Sequence, residues 1–234
     1  MSATDAAGRR EELVALFKEV SKCTRCPLYE TRTKAVFGAG NADADLMFVG
    51  EAPGAEEDRQ GLPFVGRAGQ LLNQLLEEIG LSREDVFICN VLKSRPPDNR
   101  DPMPEEIAAC EPYLWQQVRL IEPRVVCTLG NFATKLLSGS PTGITKVRGT
   151  PQLHELGGRT VHLLPLFHPA AALRTPAVKE QLRADFATIP ALLQEALPEP
   201  MPSAAEIAAD EVGEEIAAET PPADQLGFFG EPGS

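Results

Sequence analysis

The sequence has no apolar run approaching the roughly 18 residues that cross a bilayer, and its first residues, MSATDAAGRREELVALF, hold no continuous apolar segment. These absences argue against a membrane span and a secretory leader, so the expectation is a soluble cytoplasmic chain. Cysteine is scarce and odd in number, with five residues at 23, 26, 89, 110 and 127. A paired disulfide framework is therefore disfavoured relative to metal binding, catalysis or burial. No segment repeats, which leaves out a repeat architecture. From Glu199 to Ser234 there is no Lys or Arg against nine acidic residues.

That last absence relocates the net charge of −12. With nine of the 34 acids in the tail, residues 1–198 carry 25 acids against all 22 bases, so the body is close to neutral. A nearly neutral body is compatible with a local basic groove for a phosphate backbone. The tail from Pro198 onward has few large apolar residues and is expected to be disordered. It nevertheless ends in Gln225-Leu226-Gly227-Phe228-Phe229, an apolar-aromatic group with no core to join, as a docking peptide would be. The expected division is a domain over 1–198 and a tail over 199–234.

The chain is organised around LMFVGEAPGAEEDRQGLPF, residues 46–64. Leu46 to Val49 is a short apolar run closed by Gly50, the pattern of a buried strand. The loop that follows holds Glu51, Glu56, Glu57 and Asp58. It sits where open α/β sheets bind ligands, beyond a strand's C-terminal end. Phe64 follows and could stack on a planar ligand, although a core position is the commoner fate of the residue type.

Elsewhere, strands are expected at 86–92, 124–129 and 159–167, with helices at 9–20, 65–79, from 104 through 121, from 130 through 137, and over 178–197. Strands alternating with helices imply a three-layer α/β/α fold on a central, mainly parallel four-stranded sheet. Asn90, near the end of the second strand, must find hydrogen-bond partners, and its position favours ligand recognition. Lys93, Arg95 and Arg100 lie in the proline-rich stretch KSRPPDNRDPMP, read as a surface loop facing an anion, and Lys146 and Arg148 add two cations beside a turn. The fourth strand delivers His168-Pro-Ala-Ala-Ala-Leu173-Arg174. The Cys23-Thr-Arg-Cys26 spacing in a turn suits two thiolates on one ion, and it lacks the strand-then-helix setting of a redox pair.

In order, CTRCPL, VGEAPGAEEDRQGLPFVGRAGQLL, CNVLKSRPPDNRDP with Cys110 following, TKVRG and FHPAAALR resemble the family-4 uracil-DNA glycosylases. These are the iron-sulfur type of bacteria and archaea, and the resemblance covers residues 20–196. It implies an enzyme that flips uracil out of single- or double-stranded DNA and hydrolyses its N-glycosidic bond. Phe64 would stack on the extruded uracil, Asn90 would read its amide edge and His168 would stabilise the departing base. Glu51 and Glu57 would lie nearest the sugar. Leu173 with Arg174 would brace the duplex, and Arg95, Arg100, Lys146 and Arg148 would grip phosphates.

Two departures accompany the resemblance. Better-known uracil glycosylases carry an Asp and then a Tyr where this chain has Ala52 and Gly54. The water-orienting carboxylate is thus not at 52, and the guard against thymine's methyl group is missing at 54. The family's cysteine between the Lys and Arg of the loop after the second strand is here Ser94. The implied 4Fe-4S ligands are Cys23, Cys26 and Cys110, with the fourth place open between Cys89, Ser94 and solvent. Cys127 reads as a small buried hydrophobe. Gln225, Leu226, Phe228 and Phe229 resemble the peptide by which bacterial repair proteins dock on the replication sliding clamp. Two readings from other classes stay open at this stage: a non-catalytic iron-sulfur DNA-binding module, and a zinc-stabilised nucleotide hydrolase using Mg²⁺ on the acidic loop.

Overall fold

A computed structural model describes residues 6–197. In chain order the elements are α1 (Ala6–Ser21), β1 (Ala39–Gly40), β2 (Leu46–Gly50), α2 (Ala55–Gln60), α3 (Arg67–Glu78), β3 (Phe87–Asn90), α4 (Pro104–Ile121) and β4 (Val125–Leu129). They continue with α5 (Asn131–Ser138), α6 (Ile144–Val147), β5 (Gln152–Leu156), β6 (Arg159–Leu166), α7 (Pro169–Ala172), α8 (Pro176–Phe186) and α9 (Ile189–Leu192).

The sheet order is β1-β3-β2-β4-β6-β5. The four inner strands are parallel, and β1 and β5 pair antiparallel at the two edges. The expected four-stranded sheet is therefore the inner part of a six-stranded mixed one. Its inner strands announce themselves as apolar runs because helices cover both their faces; β2, β3 and β4 are buried along their whole length. The edges do not. β1 is a two-residue strand ending in Gly40, and β5 alternates half-buried and exposed positions through Gln152–Glu155. The long closing helix is also two, α8 and α9, parted at Ala187 and Thr188.

Period-two alternation divides each inner strand between two cores. Met47 and Val49 pack with Leu13, Leu16, Tyr113, Leu114 and Val118 of α1 and α4. Leu46 and Phe48 pack with Leu72, Leu75, Leu182 and Phe186 of α3 and α8. From β2 the chain first builds β3 on one side and then returns to place β4 on the other. This reversal opens a crevice at the strands' C-terminal ends, the place where such sheets bind ligands. Among the described residues, no helix is long and apolar enough to cross a membrane.

Candidate active site

A cavity of about 630 Å³ occupies that crevice, walled by Glu51 to Gly54, Glu57, Phe64, Asn90 and His168, with Asn99, Arg100, Asp101 and Arg174 toward its rim. The sheet converges these groups: Gly50 and Asn90 end β2 and β3 in register, and His168 follows β6. Every expected base- and sugar-facing residue, including Ala52 and Gly54, lies on this wall.

Phe64 and Asn90 face one slot. A Cβ on Gly50 would lie 2.3 Å from Asn90 Oδ1 and 2.7 Å from Phe64 Cζ, so only glycine leaves the space between them open. Asn90 Oδ1 is buried and has no hydrogen-bond partner. An orphaned buried acceptor costs about 1–3 kcal/mol, a cost relieved by a ligand that brings a donor into the slot. Sequence reasoning missed Gly50's part; the signal was a glycine closing an otherwise apolar strand, which marks a close approach.

Phe64 belongs both to the core and to the cavity wall. It is buried against the α3 side, its ring lies 5.6 Å from the His168 ring at an interplanar angle of 29°, and its φ is +50°. That left-handed conformation costs a non-glycine residue roughly 1–2 kcal/mol. Surrounding bonds hold it there. Glu57 Oε1 accepts from the backbone amides of Val65 and Gly66, both at 3.0 Å. The other Glu57 oxygen lies toward Gly54, where a Cβ would approach it to 2.7 Å. Glu57 thus ties the stacking loop with one oxygen while the residue lines the cavity.

His168 caps α7, accepting from the Ala170 amide through Nδ1 at 3.1 Å. An imidazole that accepts at Nδ1 carries its proton on Nε2. Burial pulls its pKa down to about 4, against a weaker opposing pull from Glu57. The ring is accordingly neutral at pH 7, with Nε2–H as its donor. Glu51 is displaced the other way: burial, and then the charge of Asp101, raise its carboxyl above the usual range. Asp101, absent from the expected site, reaches the wall from the irregular loop before α4, where no periodicity marks it.

The cations expected on DNA divide. Arg95 is half-buried, its Nε donating to Asn99 Oδ1 at 2.8 Å, while Lys146, Leu173 and Arg174 are exposed. Arg100 and Arg148 are not free grips. Arg100 holds the buried Glu106 through two bonds of 2.9 and 2.5 Å. Arg148 makes a two-pronged ion pair with Asp185 and donates to the Gln181 carbonyl at 2.9 Å. Their charges are largely met inside the protein. Lys93, read as part of a surface loop, is fully buried, its Nζ donating at 2.6 Å to the Asn90 carbonyl and to Gln117 Oε1.

The cysteines divide too. Burial pushes the Cys26 and Cys110 thiols up, and the charge of neighbouring sulfurs, Cys23 among them for both, pushes the same way. The Leu28 and Lys93 amides pull them back, with Lys93 N 3.5 Å from Cys110 Sγ and Arg25 N 3.5 Å from Cys23 Sγ. Three soft sulfurs met by N–H donors fit a thiolate-liganded centre, although among the described residues no three ligating side chains already stand at metal-holding distance. Cys89 packs in the core with Val49, Phe87 and Val91, the cluster against which Cys23 also packs, and the charged group that acts on it is Lys93. Ser94 is buried and accepts from Arg32 at 3.0 Å, and the same Arg32 acts on Cys26. Arg32 thus links Ser94 with Cys26. Cys127 is buried in β4, its thiol pushed up by burial alone, as a structural cysteine should be. Gln225, Leu226, Phe228 and Phe229 lie outside the described residues.

Comparison with known proteins finds the model of the "Uracil DNA glycosylase superfamily" matching residues 37–189. The chain is 53% identical to a "Type-4 uracil-DNA glycosylase" of Thermotoga maritima over 70% of its own length and 85% of the relative's. It is 45% identical to one of Archaeoglobus fulgidus, covering 76% of itself and 92% of the relative. For one of Sulfurisphaera tokodaii the figures are 46%, 76% and 84%.

Proposed function

The chain belongs to the uracil DNA glycosylase superfamily and excises uracil from DNA, and we propose that it does so in the cavity between Asn90, Phe64 and His168. The orphaned Asn90 Oδ1 carries this reading. Uracil presents a donor, N3–H, where cytosine presents an acceptor. A fixed buried acceptor therefore rewards uracil and leaves cytosine facing it unpaired, the strongest form of polar discrimination. The base must be swung out of the stack to reach the slot, where Phe64 supplies its π-face.

Cleavage takes the C1′–N1 electron pair onto uracil and leaves the sugar with oxocarbenium character, so two opposite charges need support. His168, neutral and with Nε2–H to give, is suited to the developing uracil oxyanion; a neutral donor avoids protonating its own Ala170-facing nitrogen. Glu51 and the inner oxygen of Glu57 are suited to the cationic sugar. With Ala52 where a water-orienting Asp would stand, Glu51 is the carboxylate left to hold the attacking water, whose oxygen bonds to C1′ as its proton passes to the Glu51 carboxylate. Arg174, which lines the cavity, and the exposed Leu173 before it would brace the strand, with Arg95 and Lys146 on phosphates, and Arg100 and Arg148 ordering the loops between them.

The membership displaces the nucleotide-hydrolase and non-catalytic readings. Cys23, Cys26 and Cys110 would hold an iron-sulfur cluster, with Ser94 or solvent rather than Cys89 in the fourth place; bound, it would supply folding free energy to the N-terminal arm and α4. The tail peptide, on its sequence, would tether the enzyme to the sliding clamp in the cytoplasm. The test of the function is incubation with single- and double-stranded oligonucleotides bearing one deoxyuridine. Free uracil and an abasic site are expected from at least one form; an unaltered strand, or equal release of cytosine from a control, would overturn the proposal.

A further inference from the structure

Arg83 lies outside the cavity, in the turn between α3 and β3, yet its guanidinium is spent on the stacking loop. Nη2 donates to the Pro63 carbonyl at 2.7 Å and Nη1 to the Phe64 carbonyl at 3.0 Å. Nη1 is shared with Asn73 Oδ1 of α3 at 3.1 Å. The guanidinium is half-buried, and burial lowers its pKa against a weaker opposing pull from the neighbouring Glu84; among the described residues no carboxylate is ion-paired with it. Its hydrogen bonds go to two successive loop carbonyls and one side-chain amide rather than to a carboxylate, so the fork is committed to the backbone around Phe64.

We propose that Arg83 is a positioning residue for uracil recognition, fixing the pitch of the Phe64 ring by locking the carbonyls on either side of that residue's left-handed backbone. The two carbonyls set the orientation of both peptide planes flanking the Phe64 Cα. Glu57 locks the next two amides from the cavity side, and a Cβ on Gly69 would fall 1.7 Å from the Phe64 carbonyl oxygen, so α3 closes against the same carbonyl. Released from the guanidinium, Phe64 is free to leave φ +50° for an ordinary backbone conformation, and its ring turns out of register with Asn90. Only a planar fork reaches two adjacent carbonyls at once, so lysine is a poor substitute.

The inference rests on the reading of Phe64 as the uracil platform, and the experiment separates the two. Inhibition by free uracil, at a temperature well below unfolding, is measured for wild type, Arg83→Met, Arg83→Lys, Phe64→Ala and the Phe64→Ala/Arg83→Met pair, with binding to product abasic DNA as the control. Arg83→Met should raise the inhibition constant on the order of 10-fold, the scale of one lost charged hydrogen bond. Arg83→Lys should restore only part, abasic-DNA binding should hold, and Arg83→Met should add almost nothing once Phe64 is gone. Should Arg83→Met not fold, Asn73→Ala, which removes the guanidinium's third acceptor, should move the constant in the same direction. If Phe64→Ala weakens uracil while Arg83→Met and Asn73→Ala lower only the melting temperature, the positioning role is overturned and the platform stands. If Phe64→Ala itself leaves the constant unchanged, the platform fails first.

Discussion

Replacing Gly50 with alanine tests the slot with a single methyl group. In the interior of a strand Gly→Ala is ordinarily mildly favourable where the backbone allows it, by roughly 0.4–1 kcal/mol through the unfolded chain. Here the new Cβ would meet Asn90 Oδ1 at 2.3 Å and the Phe64 ring at 2.7 Å. Asn90 cannot retreat easily, because β3 is registered on β2 and the Val91 amide donates to the Gly50 carbonyl at 2.9 Å. The ring has the open cavity to move into, so the fold should survive and the loss should fall on substrate. Overpacking typically costs about 1–3 kcal/mol, which as a transition-state penalty is roughly 5- to 150-fold in kcat/KM at 1.36 kcal/mol per decade. The assay is single-turnover uracil release beside a thermal melt. A fall of that order with a melting temperature within a few degrees of wild type is expected; unchanged release would mean that uracil does not enter between Asn90 and Phe64.

Burial holds the His168 pKa at about 4 against roughly 6.5 unfolded. Between those values the unfolded chain binds the extra proton, so stability falls as pH drops from 7 to 4, by about 3 kcal/mol from this group. The difference in stability between wild type and His168→Leu should shrink accordingly across that window, and a pH-independent difference would contradict the buried neutral imidazole. Cys23→Ala should bleach the broad visible absorbance of the purified protein and lower its iron content, while Ser94→Cys should raise iron retention; iron content and melting temperature unmoved by both would sink the cluster. Deleting residues 223–234 should abolish binding to purified sliding clamp and leave uracil release from a free oligonucleotide unchanged, whereas a truncated chain that still binds the clamp would refute the tether.

How much the sequence discloses depends on how far each role is local. The inner strands are legible because burial on both faces writes continuous apolar runs, and the longer helices because their apolar residues recur at helical spacing, whereas the short α2 lies inside the stretch read as a loop and the closing helix is two. Asn90 and His168 are legible because one ends a strand and the other sits just past one, the place where a parallel sheet gathers side chains from distant segments, and Phe64 because it closes the stretch that follows β2. Roles that depend on what a side chain finds elsewhere are not legible. Arg148 reads as a surface cation until Asp185, 37 residues on, is seen to neutralise it. Lys93 reads the same way until Gln117 and the Asn90 carbonyl enclose it. Cys89 sits five residues from Ser94 in sequence, but strand alternation turns it into the core beside Val49 and Phe87.

The proposed function rests on Asn90 recognising uracil and His168 stabilising its departure. Single-turnover release of uracil by Asn90→Ala and His168→Ala, each shown by circular dichroism to be folded, measures it most directly. Loss of a preorganised hydrogen-bonding group of the site typically costs on the order of 100-fold or more, and a loss of that order is expected from each variant. Release within a few-fold of wild type by either folded variant would contradict the role assigned to that residue.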